Sequence, residues 1–382
     1  MQTLHNANTE LIGLKDSKNV REFAHIFGCV SFHTTGLVKW LYCMWKIDEI
    51  TNLINMLYKC HCYALEICHT DEDKEILHKE MKVAKRITSL FAYYWPPIGV
   101  GAVLHYCFNP ISFRLYEIHV QQHDGNVVPK ILPFSGWFPW DEYEYYGWSY
   151  FSQISGVIGC CMGSICYDQL YVSSLVIICS YLKFLSKALP ADFNRYSNFQ
   201  TILLFLFSNF ERRLKNCVNL HKEVLSYVEN LENIGSPCMF LQCVQNIVIL
   251  CLCSFEAATL QITPDIECVV QVLNLIEFAM GVTVQLFFFC FVASDISKLG
   301  LDVSDAVYSC EWFSTYDTLD YKNCKKQKNH VIKYAVLIMT VRAQRPISLT
   351  GGPFYILSLE TFKSIVGLAI SNSVVLSQTY KT

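Results

Sequence analysis

The residues in this chain best equipped for chemistry are a knot of soft ligands, Cys60-His61-Cys62 followed by Cys68-His69. Thiolate and imidazole are what zinc favours, but this spacing matches no standard zinc pattern. The stretch sits beside Leu57, Tyr58, Leu65 and Ile67, which predicts a cytosolic helix with no metal and no cofactor. Metalloprotease HExxH, nucleophile-elbow, phosphate-loop and dinucleotide patterns do not occur, so no residue is a catalytic candidate and no enzyme is expected. The second group lies near the C-terminus. Ser364, Ser371 and Gln378 are two helical turns apart in succession and share one face, with Val375 one turn beyond Ser371 on nearly the same face. A polar stripe broken by one apolar position either lines an aqueous pore or glues packed transmembrane helices together, and spacing alone leaves both open.

That stripe belongs to Phe354 to Ser377, a segment long enough to cross a bilayer, which follows the breakers Arg345-Pro346 and Gly351-Gly352-Pro353. The whole chain agrees in character: 382 residues, 52% hydrophobic and only 16% charged, against about 25% charged in a typical soluble domain. An all-α, polytopic helical membrane protein follows. The net charge of −3 offers no basic field for nucleic acid. The 19 cysteines are odd in number and mostly sit inside apolar runs, where they read as reduced core residues.

Six apolar segments can be counted: about Phe23–Trp45, Arg86–Phe108, Ser149–Ala188, Cys238–Ile262, Cys268–Ala293 and Phe354–Ser377. They divide the chain into a polar stretch 1–22, a transmembrane domain 23–293, a cytosolic loop and packing helix 294–352, and a last helix 353–382. Lys and Arg concentrate between Lys46 and Lys85, between Leu189 and Pro237 and between Ser294 and Gly352, whereas Asn109–Trp148 holds only Arg114 and Lys130. Basic loops stay cytoplasmic, which puts the C-terminus outside. Six spans would put the N-terminus outside too, against Lys15, Lys18 and Arg21, and a lost first span would resolve that conflict. In the outer loop, Phe134, Trp137, Phe138, Trp140, Tyr143, Tyr145, Tyr146 and Trp148 form either an interfacial belt or a lid over a ligand. Charged and apolar residues alternate at helical spacing through Phe193–Glu232, which predicts helices projecting into the cytosol.

Several stretches together resemble the insect odorant receptor family, in particular its divergent odour-tuning subunits. They are Leu132-Pro133 with Trp137, Pro139 and Asp141; Asp168-Gln169-Leu170; Leu220 to Leu225 around His221; Tyr308, Glu311, Trp312 and Tyr316; and, most specific, Gln344 to Lys381. The resemblance runs from about Arg21 to the C-terminus and departs from the family in showing six spans where the family has seven. It implies a heterotetrameric, ligand-gated, non-selective cation channel formed with a co-receptor in the plasma membrane of sensory neurons. The last helix of each subunit would line the pore, with a hydrophobic gate at Val375 and polar pore residues at Ser371 and Gln378. The resemblance puts a volatile odorant in the outer half of the subunit, among Phe27, Val30, Ile98, Gly101, His105, Tyr150, Phe151, Ile154, Ile158, Leu275 and Phe278. Other classes fit part of the pattern: a G-protein-coupled chemoreceptor would run with opposite topology, a transporter would show paired broken helices, and a truncated, non-functional product of the same family would share the motifs.

Overall fold

The computed structural model describes residues 20–120, 130–134, 136–191, 203–260, 266–310 and 324–381. Most of the 1–22 stretch, with Lys15 and Lys18, and the motif residues Glu311, Trp312 and Tyr316 lie outside the described residues. Eight helices are described: α1 (Val20–Trp45), α2 (Ile47–Ile67), α3 (Asp71–Val120), α4 (Tyr146–Ala191), α5 (Leu203–Thr259), α6 (Ile266–Tyr308), α7 (Cys324–Ala343) and α8 (Leu359–Lys381). A two-residue hairpin, β1 (Thr350–Gly351) paired antiparallel with β2 (Tyr355–Ile356), joins α7 to α8.

The six apolar segments correspond to α1, α3, α4, α5, α6 and α8, the last beginning only at Leu359, and four of these helices, α3 to α6, are long and apolar enough to cross a membrane by length and composition. The other two, α1 and α8, have 26 and 23 residues but carry His33 and Lys39, or Glu360, Lys363 and several serines. The long helices overshoot any bilayer. At 1.5 Å per residue, the 57 residues of α5 run ~85 Å against a hydrocarbon core of ~30 Å. Their surplus forms a second bundle with α2 and α7, away from the 130–145 loop, where Leu182, Leu185, Leu220 and Val224 make the core.

The helix at the centre is α4. Of its apolar stretch 72% is buried, against 6% for that of α3, as suits a helix that is hydrophobic all round. It meets α1 backbone to backbone: a Cβ on Gly36 would lie 2.4 Å from the Cys160 carbonyl oxygen, and one on Gly163 would lie 2.8 Å from Trp40 Cβ. Small residues permit such crossings in a bilayer. Gly36→Leu is therefore expected to abolish the monodisperse peak in size-exclusion chromatography, whereas Gly101→Leu, at a position with open space around it, leaves the peak in place.

The soft-ligand stretch lies in α2, whose Ile50, Leu53, Met56, Cys60, Ala64 and Ile67 face the core at helical spacing. Burial, with Glu223 nearby, pushes the Cys60 thiol up to about 12. Cys68 Sγ donates to the Ala64 carbonyl at 3.2 Å. Next to it a buried clamp closes the far bundle: Arg213 donates to Asp73 at 2.5 and 2.9 Å, to the Ala188 carbonyl at 2.8 Å and to the Ile67 carbonyl at 3.4 Å. One guanidinium thus ties four chain segments. Arg213→Lys keeps the charge and loses the planar fork, and is expected to cost about 2 kcal/mol in thermal unfolding.

The terminal segment bends before it becomes helical. Gly352 takes a φ of +67°, which glycine adopts without strain, and the chain pairs Thr350 with Ile356 before Ser358 caps α8 by accepting from Thr361 N at 3.1 Å. The helix consequently starts at Leu359, five residues into the apolar segment. The hairpin sits on α5: Glu232 accepts from Thr350 N at 3.0 and 3.1 Å, and Ser236 Oγ from Gly352 N at 3.0 Å, beside Pro237. α8 buries Ile365 and Ala369 against the bundle, and Phe362 meets Phe287 edge-on at 5.5 Å. Ser364, Ser371, Val375 and Gln378 are exposed.

Candidate ligand-binding cavity

One wall of the cavity is α3. Pro96 and Pro97 lie inside this helix and remove two backbone donors, which loosens the helix where it runs beside α4. Between α1, α3, α4 and α6, with α5 behind, lies an elongated cavity of about 1490 Å³. Its walls are mostly aliphatic and aromatic, as for a site that gains affinity by apolar burial at ~25 cal/mol per Å².

At the loop end Phe134 lines the cavity. It is buried, stacks on Tyr106 at 5.2 Å between ring centroids, and meets His33 edge-on at 5.0 Å. Gln153 fixes it by bonding both its backbone groups: Phe134 N donates to Oε1 at 3.2 Å, and Nε2 donates to the Phe134 carbonyl at 2.7 Å. Phe138 is buried too, while Trp137, Tyr143, Tyr145 and Trp148 point outward. The loop's aromatics divide, with Phe134 and Phe138 buried and the outward group available as an interfacial belt.

Polar groups cross-link the helices around this end. His25 bonds the Tyr106 hydroxyl at 2.6 Å and comes within 3.7 Å of Glu256. His105 Nδ1 bonds Glu277 at 2.7 Å, and Asn109 Nδ2 donates to Asn274 at 2.9 Å. Deeper down, Lys39 Nζ donates to Asp168 at 2.8 Å and to Ser164 Oγ at 3.1 Å, and Gln285 Nε2 donates to the other oxygen of Asp168. Gln242 continues the network by donating to Gln285 at 3.0 Å and to Asn246 at 2.7 Å.

Of the eleven residues expected around a ligand, Ile98, Leu275 and Phe278 line the cavity, with Phe32 edge-on to Phe278 at 5.9 Å. His105 turns to Glu277, Val30 is buried, and Gly101 faces open space. Tyr150 is buried and donates to the Cys107 carbonyl. Ile154 packs on the small core of Cys107, Phe134 and Val157, and Ile158 is half-buried. Phe27, stacked on Phe23, and Phe151 are exposed. The cavity face of α4 is instead Val157, Cys161, Ser164, Ile165 and Asp168. One sequence signal pointed there: an ionisable residue inside an apolar span marks a functional site by default.

The sequence profile of the family described as 7tm Odorant receptor matches residues 19–370. Odorant receptor 9a of Drosophila melanogaster is 23% identical over 342 residues, covering 88% of this chain and 76% of that protein. Odorant receptor 10 of Aedes albopictus is 22% identical over 222 residues, 58% of this chain, and the match spans only 52% of that relative. Among solved structures, the olfactory receptor OR5 from Machilis hrabei, in complex with eugenol, superposes with a TM-score of 0.77 at 16% identity, over 99% of this chain and 87% of that one.

Proposed function

The chain belongs to the 7tm odorant receptor family, and on that premise we propose that it is the odorant-binding subunit of a ligand-gated, non-selective cation channel assembled with a co-receptor. The observation that carries the reading is the apolar cavity at one end of the helical bundle, lined there by Phe134. A volatile ligand there would be recognised by shape and burial, with a few hydrogen bonds supplying direction. The relative from Machilis hrabei, whose structure holds eugenol, supports a small-molecule site in this fold.

Two exposed surfaces support assembly. α7 leaves Tyr334, Leu337, Ile338 and Val341 exposed at helical spacing, and α8 leaves Leu368, Ile370, Val374 and Val375 exposed. In a tetramer the α7 faces join subunits on the cytosolic side, and the α8 helices surround the permeation path, with monovalent and divalent cations passing Val375. The protein is then a multi-pass plasma-membrane receptor of sensory neurons, with the loop end and the C-terminus outside. Odorant binding the open form more tightly shifts the population toward conduction, so efficacy reports differential affinity.

Co-expression with the co-receptor and recording of odour-evoked current tests class, partner and competence together. Ile154→Trp forces an indole into the core formed with Phe134 and is expected to abolish odorant-evoked current while surface expression of the complex persists. An unchanged dose response would remove the cavity from the binding path.

A further inference from the structure

Midway along the cavity is a polar floor that binding by shape alone leaves without a role. Asp168 is 1% exposed yet reaches the cavity with Ser164 and Gln285. Lys39 and Gln285 each occupy one oxygen of Asp168, which leaves a further lone pair on each, and Ser164 Oγ accepts from Lys39 with its own hydrogen still to give. On the facing wall Trp95 also lines the cavity, and its indole Nε1–H is buried with no hydrogen-bond partner among the described residues. Its ring stands in an aromatic box, stacked on Phe91 at 5.5 Å and edge-on to Phe288 at 6.5 Å.

The donor and the floor belong to the same stretch of the α3–α4 contact. On α3, Trp95 lies between Thr88, whose carbonyl accepts from Gln169 at 3.3 Å, and Gly99, where a Cβ would stand 2.9 Å from Ile165 Cδ1. Ile165 and Gln169 bracket Asp168 on α4. The polar pairs at the loop end differ in kind: His25 with Tyr106 and His105 with Glu277 are already bonded, and both histidines are nearly half exposed. A ligand group there exchanges one partner for another. At Trp95 it satisfies a buried donor that has none.

We propose that this is a subsite for the hydroxyl head of a small neutral alcohol. The proposal rests on the odorant-binding reading and names its ligand class. The ligand oxygen accepts from Trp95 Nε1–H, and its O–H donates to Asp168, while its hydrocarbon tail runs toward Ile98, Phe278 and Phe134. An ether makes the first bond only, and a hydrocarbon makes neither. A carboxylate would set a second negative charge against Asp168, and an ammonium would compete with Lys39 for it.

The test compares 1-octanol, methyl heptyl ether and nonane, matched in heavy-atom count, by ligand-dependent thermal stabilisation of the purified full chain in detergent. The alcohol is expected to bind about tenfold more tightly than the ether, the value of one hydrogen bond. Trp95→Phe keeps the aromatic box and removes the donor, so it should weaken the alcohol and the ether about tenfold each and leave nonane unchanged. Equal binding of all three compounds, binding of none, or an equal loss of nonane in Trp95→Phe overturns the subsite. Should that variant fail to fold, the alcohol-to-ether ratio in the unmodified protein decides alone. The expected pattern in the purified chain, with no alcohol-evoked current from the co-expressed complex, upholds the subsite and removes the channel reading.

Discussion

Lys39→Ala is expected to destabilise the protein by about 3–5 kcal/mol, the scale for stranding one charge of a buried pair. Lys39 is fully buried, bonded to Asp168 at 2.8 Å, and its ammonium stands over the rings of Tyr167 at 5.1 Å and Phe289 at 6.0 Å. Without it the Asp168 carboxylate keeps Gln285 but has no counter-charge in a low-dielectric interior. Asp168→Ala should cost as much, by stranding the lysine. The double replacement Lys39→Met with Asp168→Leu fills similar volume with no charge and should recover most of the loss, since a well-packed apolar substitute often matches a buried pair. Thermal unfolding of the three variants in detergent makes the check. A single variant as stable as the parent, or a double no better than the singles, would show that the pair is not what holds α1 to α4.

Val375→Ser is expected to raise agonist-independent current several-fold in the co-expressed complex. Val375 is 60% exposed on the face of α8 turned away from the chain's own bundle. In the proposed assembly a ring of such side chains holds the path shut by excluding water, and a hydroxyl at each position lowers the cost of wetting it. Ser371→Val, two turns below Gln378 on the same face, works in the opposite sense and should reduce single-channel conductance. Patch-clamp recording without odorant reads the first effect and with saturating odorant the second. Leak and conductance identical to the parent's in both variants would move the gate elsewhere.

The helical, membrane-spanning character was legible because the apolar segments of α3 to α6 are longer than a helix nucleus needs and more apolar than a soluble face allows. The motifs, above all the terminal one, pointed to the family whose profile spans residues 19–370. The cavity was less legible for a geometric reason. Tyr150, Ile154 and Ile158 do share a face of α4, but how that helix is rotated is set by Gly36 and Gly163, where two backbones touch across the bundle. That contact is long-range and has no periodic trace, and it presents Val157, Cys161 and Asp168 to the cavity. Phe134 was readable as an aromatic in a loop but not as part of the cavity wall, since its position depends on Gln153, a polar residue inside an apolar span. The start of α8 was masked in the same way, by a turn only two residues wide on each side.

The hairpin ahead of α8 is riveted to α5 beside Pro237, a proline inside the longest of the described helices. This makes α8 a lever whose fulcrum belongs to a different helix. Val375 stands 16 residues beyond Leu359, ~24 Å along the axis, so a tilt of about 5° at the fulcrum would carry it ~2 Å sideways. Displacement at the tip thus exceeds displacement at the fulcrum, and in the proposed channel a shift of fractions of an ångström at the hairpin would move the constriction by more than the radius of a water molecule.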